Sequence, residues 1–346
     1  MKYDLIAMGE MLMRLSPPLK SEISHNPVFE RYFGGAEMNV AAAAAALGLK
    51  TAVVTKLPEN LLGDLARQFL RNAGIDDCLV IADPELHSRL GLYYYLPADY
   101  PALPRVIYDR EHTSMRSLQP GELLVKMYHN ARCFHVSGIT LGLGGSCRES
   151  AIEAIKQFKA AGAWISFDVN YRMNLWSGEE ARQCIEQILP LVDIFFCSED
   201  TMRLTFKKEG ALKDMMASFA AQYPLKLIAA ARRMVHRPSC HSFGCAVFNC
   251  ADGSYTENSG YEQVEVTDRI GSGDAFVGGF LAGLLPRAFA ENGVRGKMAI
   301  TRAMDLGNAC ASLKMTRRGD ALCAAGTEIE EIVQRRYDEN VYEMKR

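Results

Sequence analysis

A polar loop, Gly271-Ser272-Gly273, runs into Asp274 and then into an apolar, helix-like stretch. Glycines at 271 and 273 let successive backbone N–H groups turn toward one point. The helix N-terminus adds partial positive charge there, so the loop can cradle an anion. Asp274 falls in the first helical turn, where the dipole is expected to favour its ionised form and leave a carboxylate free to accept a proton beside a bound phosphate. An anion cradle next to a general base suits phosphoryl transfer to an alcohol. The same residues also make an ordinary cap, with Ser272 or Asp274 closing a helix after a glycine turn. The loop lacks the GxxxxGK[ST] pattern, and Phe276 stands where GxGxxG needs its last glycine. The HRD and DFG signatures of protein kinases are absent as well.

Two further clusters invite chemistry. Gly34 and Gly35 precede an alanine-rich helical stretch containing Asn39; paired glycines permit close approach of a ligand, and Asn39 offers both donor and acceptor. Tight helix–sheet packing is the alternative reading. Asp168, Asn170 and Arg172 follow directly on a buried-strand pattern, so polar side chains gather at a strand's carboxyl end, where surface loops rarely concentrate them. Metal chemistry finds less support. Cys240, Cys245 and Cys250 have a spacing that fits no zinc pattern, and His236 and His241 have no third ligand at a sensible interval. Ten scattered cysteines without a CxxC motif read as free thiols in a reducing cytoplasm.

Short apolar runs alternate with longer amphipathic ones and must position these groups. Strands are expected at 5–8, 51–54, 133–137, 164–168, 193–197, 225–229 and 245–249. Helices are expected at 38–47, 62–73, 146–161, 179–189, 211–222, 275–285 and 296–313. Strands that are hydrophobic throughout imply a sheet covered on both faces, hence a doubly wound, mostly parallel α/β sheet whose ligands sit at the carboxyl edge. Residues 89–110 break the rhythm with two aromatic segments around a Pro-rich connection. They are expected to pair with residues 12–33 as a small β lid inserted in one domain spanning 1–346.

The chain has 346 residues with 39 Lys plus Arg against 41 Asp plus Glu, a formal charge of -2 without long blocks of one sign, which argues against a nucleic-acid footprint. The longest apolar stretch, 40–49, is far short of the ~20 residues of a membrane span. The N-terminal run is broken by Glu10 and lacks a secretory pattern, so a soluble cytoplasmic protein is expected.

The glycine stretches around Gly34-Gly35 and Gly271-Gly273 together resemble the two signatures of the ribokinase-like, or PfkB, family of sugar kinases. The segments MGEMLMRLSPP, LGLYYYLPA, VIYDR, DVNYRMNLW, DRIGSGD and ASLKMTRRGD are similar to the 2-keto-3-deoxygluconate kinase branch, in order along nearly the whole chain. The resemblance implies a ribokinase-like fold and an ATP-dependent kinase transferring the γ-phosphoryl group to a primary hydroxyl of a sugar acid, with 2-keto-3-deoxygluconate foremost. Its cofactors would be ATP and Mg²⁺, with a monovalent cation as a further candidate.

Carried over by position, Asp274 is the implied base and Gly271, Ser272 and Gly273 the anion hole. Gly34, Gly35, Asn39, Tyr93, Tyr108, Arg110, Asn170 and Arg172 would contact the sugar. Two guanidiniums suit a carboxylate. Asn308 would line the nucleotide site. Departures are also present. Where the family writes Asn-x-x-Glu, this chain has Ser198-Glu199-Asp200-Thr201; Ser198 would border the nucleotide and Glu199 could organise Mg²⁺ through water. The family's Lys-x-Gly is replaced by Arg232-Arg233 and an expected irregular segment, from which Arg233 could reach the ATP phosphates. The alternatives are a fructokinase or nucleoside kinase, or a catalytically weak pseudo-kinase. A homodimer through the lid is expected, because a two-stranded aromatic surface is rarely stable uncovered.

Overall fold

The structure, a computed structural model, describes residues 1–18, 28–98, 102–290 and 297–337. Residues 19–27 and 99–101 of the expected lid, and Gly296 at the head of an expected helix, lie outside the described residues.

Along the chain, β1 (Tyr3–Met8), β2 (Leu12–Ser16) and β3 (Glu30–Gly34) lead to α1 (Ala36–Ala46). Then come β4 (Thr51–Val54), β5 (Lys56–Pro58), α2 (Leu61–Asn72), β6 (Ile75–Asp76), β7 (Ile81–Asp83), β8 (Gly91–Leu96) and β9 (Arg105–Asp109). The middle of the chain supplies β10 (Ala131–Ser137), α3 (Gly138–Gly142), α4 (Gly145–Ala160), β11 (Trp164–Asp168), α5 (Gly178–Ile188), β12 (Ile194–Phe196), α6 (Glu199–Leu204) and α7 (Leu212–Gln222). β13 (Leu227–Arg237), β14 (Cys240–Asn249), β15 (Ser254–Glu265), α8 (Ser272–Ala290), α9 (Lys297–Met315) and α10 (Gly326–Arg336) complete it.

Nine strands form the central sheet in the order β15-β14-β13-β12-β11-β10-β1-β4-β6. From β6 to β13 all neighbours are parallel; β14 and β15 add an antiparallel edge. Alternation within the buried strands explains the two-sided cover. Ile6, Phe134, Phe167 and Phe195 pack toward α4, α5 and α7, while Leu5, Cys133, Ile194 and Phe196 pack toward α8. Each fully buried Phe or Ile contributes about 1.5–3 kcal/mol relative to exposure, which fixes the register of these short strands.

α8 is hydrophobic nearly all round because it is wedged between α1 and α9. A side-chain carbon at Gly278 would lie 2.4 Å from the Val40 carbonyl, and one at Gly279 would lie 2.6 Å from the Leu306 carbonyl. The bare backbone at these positions lets α8 sit close and aims its N-terminus at the carboxyl edge of the sheet.

The segment after Ala231 is not irregular, as the sequence suggested. β13 runs on to Arg237, paired antiparallel with β14. Its outer half is exposed, so the inward-facing apolar residues that mark a strand are missing there. β15 was missed altogether: it is a polar edge strand, largely exposed.

A separate four-stranded sheet, β3-β2-β8-β9, stands over the carboxyl edge. β2 pairs parallel with β8 and antiparallel with β3, and β8 pairs antiparallel with β9. Alternate residues of β8 are buried, so Tyr93 and Tyr95 point inward and cluster with Leu12.

Candidate active site

Asp274 lies in the first turn of α8, on the floor of a cleft of about 510 Å³. Its carboxylate is held from two sides. Asn39 Nδ2, from α1, donates to Oδ2 at 2.7 Å, and Asn170 Nδ2, just past β11, donates to Oδ1 at 3.2 Å. Asn170 takes a positive φ of 38°, which asparagine tolerates better than most residues. The two amides fix the orientation of the carboxylate and leave lone pairs to accept a proton.

Helix-dipole reasoning expected the ionised form of Asp274 to be favoured, but burial wins. Loss of water pushes its pKa above the usual carboxylate range, while Asn39, Arg172, Asn170 and Lys314 pull the other way. Asp168 feels the same burial and the charge of Asp274, and rises to about 7 against the opposing Asn170 amide and Arg172. A buried carboxylate with a raised pKa is a stronger proton acceptor, the property a base attacking near neutral pH needs.

Gly271 has φ 79°, and a side-chain carbon there would lie 1.8 Å from the Asp320 carbonyl, so both conformation and space require glycine. Gly35, at φ 146°, abuts the Glu10 carbonyl at 2.2 Å in the same sense. Gly273 differs: nothing in the protein approaches its missing side chain, and its backbone borders open cleft. Ser272 is buried, and its N–H already donates to the Arg269 carbonyl at 3.3 Å.

Tyr93, Tyr108 and Arg110 form the lid-side wall, with Gly35, Asn39, Asn170 and Arg172 around the base. Gly34 is the last residue of β3 and packs against the Asp320 side chain. The rings of Tyr93 and Tyr108 lie 5.7 Å apart, and the Arg110 guanidinium sits 5.4 Å from the Tyr108 ring. Arg110 is not free. Its Nε donates to Glu10 Oε2 at 2.9 Å, Nη2 makes a second, shorter bond to the same oxygen, and Thr113 donates to the other oxygen. Arg172 is exposed, bonds only the Tyr171 carbonyl at 3.0 Å, and makes no ion pair among the described residues.

Several residues of this cleft escaped the sequence reading. Glu10, in sequence only a break in the N-terminal apolar run, pairs with Arg110. Asp320, buried, accepts from the Tyr93 hydroxyl and from Arg14 Nη1 at 3.1 Å. It ends the ASLKMTRRGD segment, whose sequence alone points to no partner for it. Arg269 also lines the cleft.

A second groove of about 950 Å³ runs from Ser198, Glu199 and Asp200 along Arg232, Arg233 and Cys245 to Gln263. Arg233 lines both spaces, and a smaller cleft bounded by Asp168, Arg172, Ser198 and Gly273 joins them. Partial loss of water around its guanidinium and, second, the nearby Arg269 lower the Arg233 pKa. Ser198 caps α6: its Oγ accepts from Thr201 N at 3.2 Å and lies 2.8 Å from Thr201 Oγ1. The two departures from Asn-x-x-Glu therefore form a helix-capping pair. Glu199 is tied to Arg203 at 3.0 Å, and no cluster of three metal-ligating side chains occurs among the described residues. Asn308, expected to line the nucleotide site, does not reach these spaces. It is fully buried in α9 with its amide toward the Cys245 thiol, which does line the groove, because α9 packs beneath β14.

With this geometry in view, residues 2–326 match the pfkB family carbohydrate kinase profile. The chain is 31% identical over 340 residues to 2-dehydro-3-deoxygalactonokinase of Haloferax volcanii, covering 96% of this chain and 98% of that one. It is 29% identical to probable fructokinase-3 of Arabidopsis thaliana, over 94% of this chain and 89% of the relative. The crystal structure of 2-dehydro-3-deoxygluconokinase from Thermotoga maritima superposes with a TM-score of 0.86 at 28% identity, covering 95% of this chain and 99% of that one.

Proposed function

The chain belongs to the pfkB family of carbohydrate kinases, and from that premise we propose that it transfers the γ-phosphoryl group of ATP to a primary hydroxyl of a sugar acid of the 2-keto-3-deoxygluconate type. The observation that carries the substrate reading is Arg172, a guanidinium that makes no ion pair among the described residues, in the same cleft as Asp274. A carboxylate is the group such a fork binds bidentately. The Haloferax and Thermotoga relatives, whose names specify 2-keto-3-deoxy sugar acids, support the same class.

In this reading the lid tyrosines and Asp320 orient the sugar hydroxyls, and Arg172 takes the carboxylate. Asp274 removes the proton of the primary hydroxyl as its oxygen attacks the γ-phosphorus in line. One O–P bond forms, the bond to the ADP oxygen breaks, and the amides of Gly271 and Gly273 receive the charge on the transferring group. Arg233, shared by both spaces, meets the phosphates from the groove side, with Ser198 at the groove's margin. The oxygen-only donors there, Glu199 and Asp200, suit Mg²⁺ carried in by the nucleotide with most of its waters, and the ion would neutralise phosphate charge.

A neutral-ketose kinase is the second reading. The Glu10–Arg110 pair favours it, since it removes one of the two guanidiniums counted toward a carboxylate. ADP release measured across sugar acids, ketoses and nucleosides with ATP and Mg²⁺ separates the two. Preferred turnover of fructose would replace the sugar-acid reading, and turnover of no acceptor would remove both.

A further inference from the structure

Lys314 is fully buried near the end of α9, an uncommon place for an ammonium group unless its charge is needed there. Its Nζ donates to the backbone carbonyls of Asp268, at 3.2 Å, and Arg317, at 2.9 Å. These carbonyls belong to two different segments. One leads into the anion-hole loop and the other follows α9. The same segments are stitched together repeatedly. Thr267 N and Asp268 N donate to the Met315 carbonyl at 2.8 and 3.0 Å, and Gly319 N donates to Asp268 Oδ2 at 3.1 Å. Asp268 Oδ1 accepts from Ile270 N at 3.1 Å, and Gly271 presses on the Asp320 carbonyl.

The charges form a closed set. Arg14, from lid strand β2, donates to Asp268 at 2.6 Å and to Asp320 at 3.1 Å, and all three side chains are buried. Arg14 pairs directly with both carboxylates, and Lys314, bonded to the Asp268 carbonyl, adds a second cation that feels both through space. Taking one cation away leaves net negative charge buried directly behind the loop that must receive a polyphosphate, where it costs most.

We propose that Lys314 is a positioning residue for phosphoryl transfer, an internal cation that balances Asp268 and Asp320 and fixes the approach of residues 268–271 to the anion hole. The proposal rests on the reading of Asp274 as the base. Lys314 also acts on that base through space. The groups bearing on Asp274 are Asn39, Asn170, Arg172, Asp168 and Lys314; on Lys314, burial first and then Arg14 pull its pKa down, while Asp268, Asp320 and Cys323 hold it up. The ammonium opposes the upward push of burial on Asp274, so its loss moves Asp274 further up and shifts the acid limb of activity to higher pH.

Lys314→Met removes the charge and its hydrogen bonds. Lys314→Gln removes the charge but keeps a donor, and serves if the methionine variant does not fold. Rates per folded enzyme are taken as a function of pH, using whichever acceptor the wild type phosphorylates. A wild type that prefers a neutral ketose therefore overturns the substrate assignment while leaving this test readable. The expected result is a fall in kcat on the order of 100-fold, an acid limb displaced to higher pH, and partial recovery of the methionine variant in methylammonium or potassium chloride at fixed ionic strength. A folded variant with wild-type kcat and an unmoved acid limb would overturn the proposal, as would a loss of activity accounted for wholly by loss of folded protein.

Discussion

Asp274 combines an orientation set by Asn39 and Asn170 with a proton affinity raised by burial. Replacing it by asparagine keeps the shape and removes the proton acceptor. Asp274→Asn is expected to lower kcat by about 10²–10⁴-fold while calorimetric binding of the sugar persists; near-normal turnover would refute its role as base. Because the base works ionised and its pKa is raised, wild-type kcat/KM should decline with falling pH at values above the ordinary carboxylate range.

Arg110 and Arg172 differ in their surroundings. Arg110 is buried against Glu10, so Arg110→Leu strands a buried carboxylate and should cost about 3–5 kcal/mol of stability. Arg172 is exposed, and Arg172→Leu should stay within about 0.5 kcal/mol of wild type while losing selectivity for acids. Thermal or urea denaturation of the pair checks the contrast, and equal destabilisation would contradict it.

Among the elements, those buried on both faces were the most legible. β1, β4, β10 and β11 are continuous apolar runs because helices cover both sides, and that pattern survives in sequence. β15 and the outer half of β13 carry polar or charged side chains on both faces, so only their pairing with β14 reveals them. Asp274, Asn39 and Asn170 could be read because each sits beside a glycine turn or a strand end. Glu10, Asp268 and Asp320 could not, since their meaning lies in partners far along the chain. β9 is an edge strand exposed along its whole length, with Ile107 52% exposed and paired in register to Tyr94. An apolar sheet edge of this kind is proposed to be covered by a second copy of the chain. Sedimentation should then show a dimer that Ile107→Asp dissociates, whereas a wild-type monomer at micromolar concentration would exclude it.

Across the whole molecule, the site is assembled from segments that only the complete fold brings together. Arg14 meets Asp268 across 254 residues and Asp320 across 306. The near-zero net charge therefore conceals a partition, with balanced ions buried behind the anion hole and three guanidiniums that form no ion pair among the described residues, Arg172, Arg233 and Arg269, facing the cleft. Among the described residues no helix is long and apolar enough to cross a membrane. The arginines facing the cleft give the molecule its expected preference for an anionic acceptor. That preference is read most directly as the ratio of kcat/KM for 2-keto-3-deoxygluconate to kcat/KM for fructose. A charge-assisted contact of about 1.5–3 kcal/mol should place the ratio at roughly 10–100 or more, and a ratio at or below one would contradict a sugar-acid kinase.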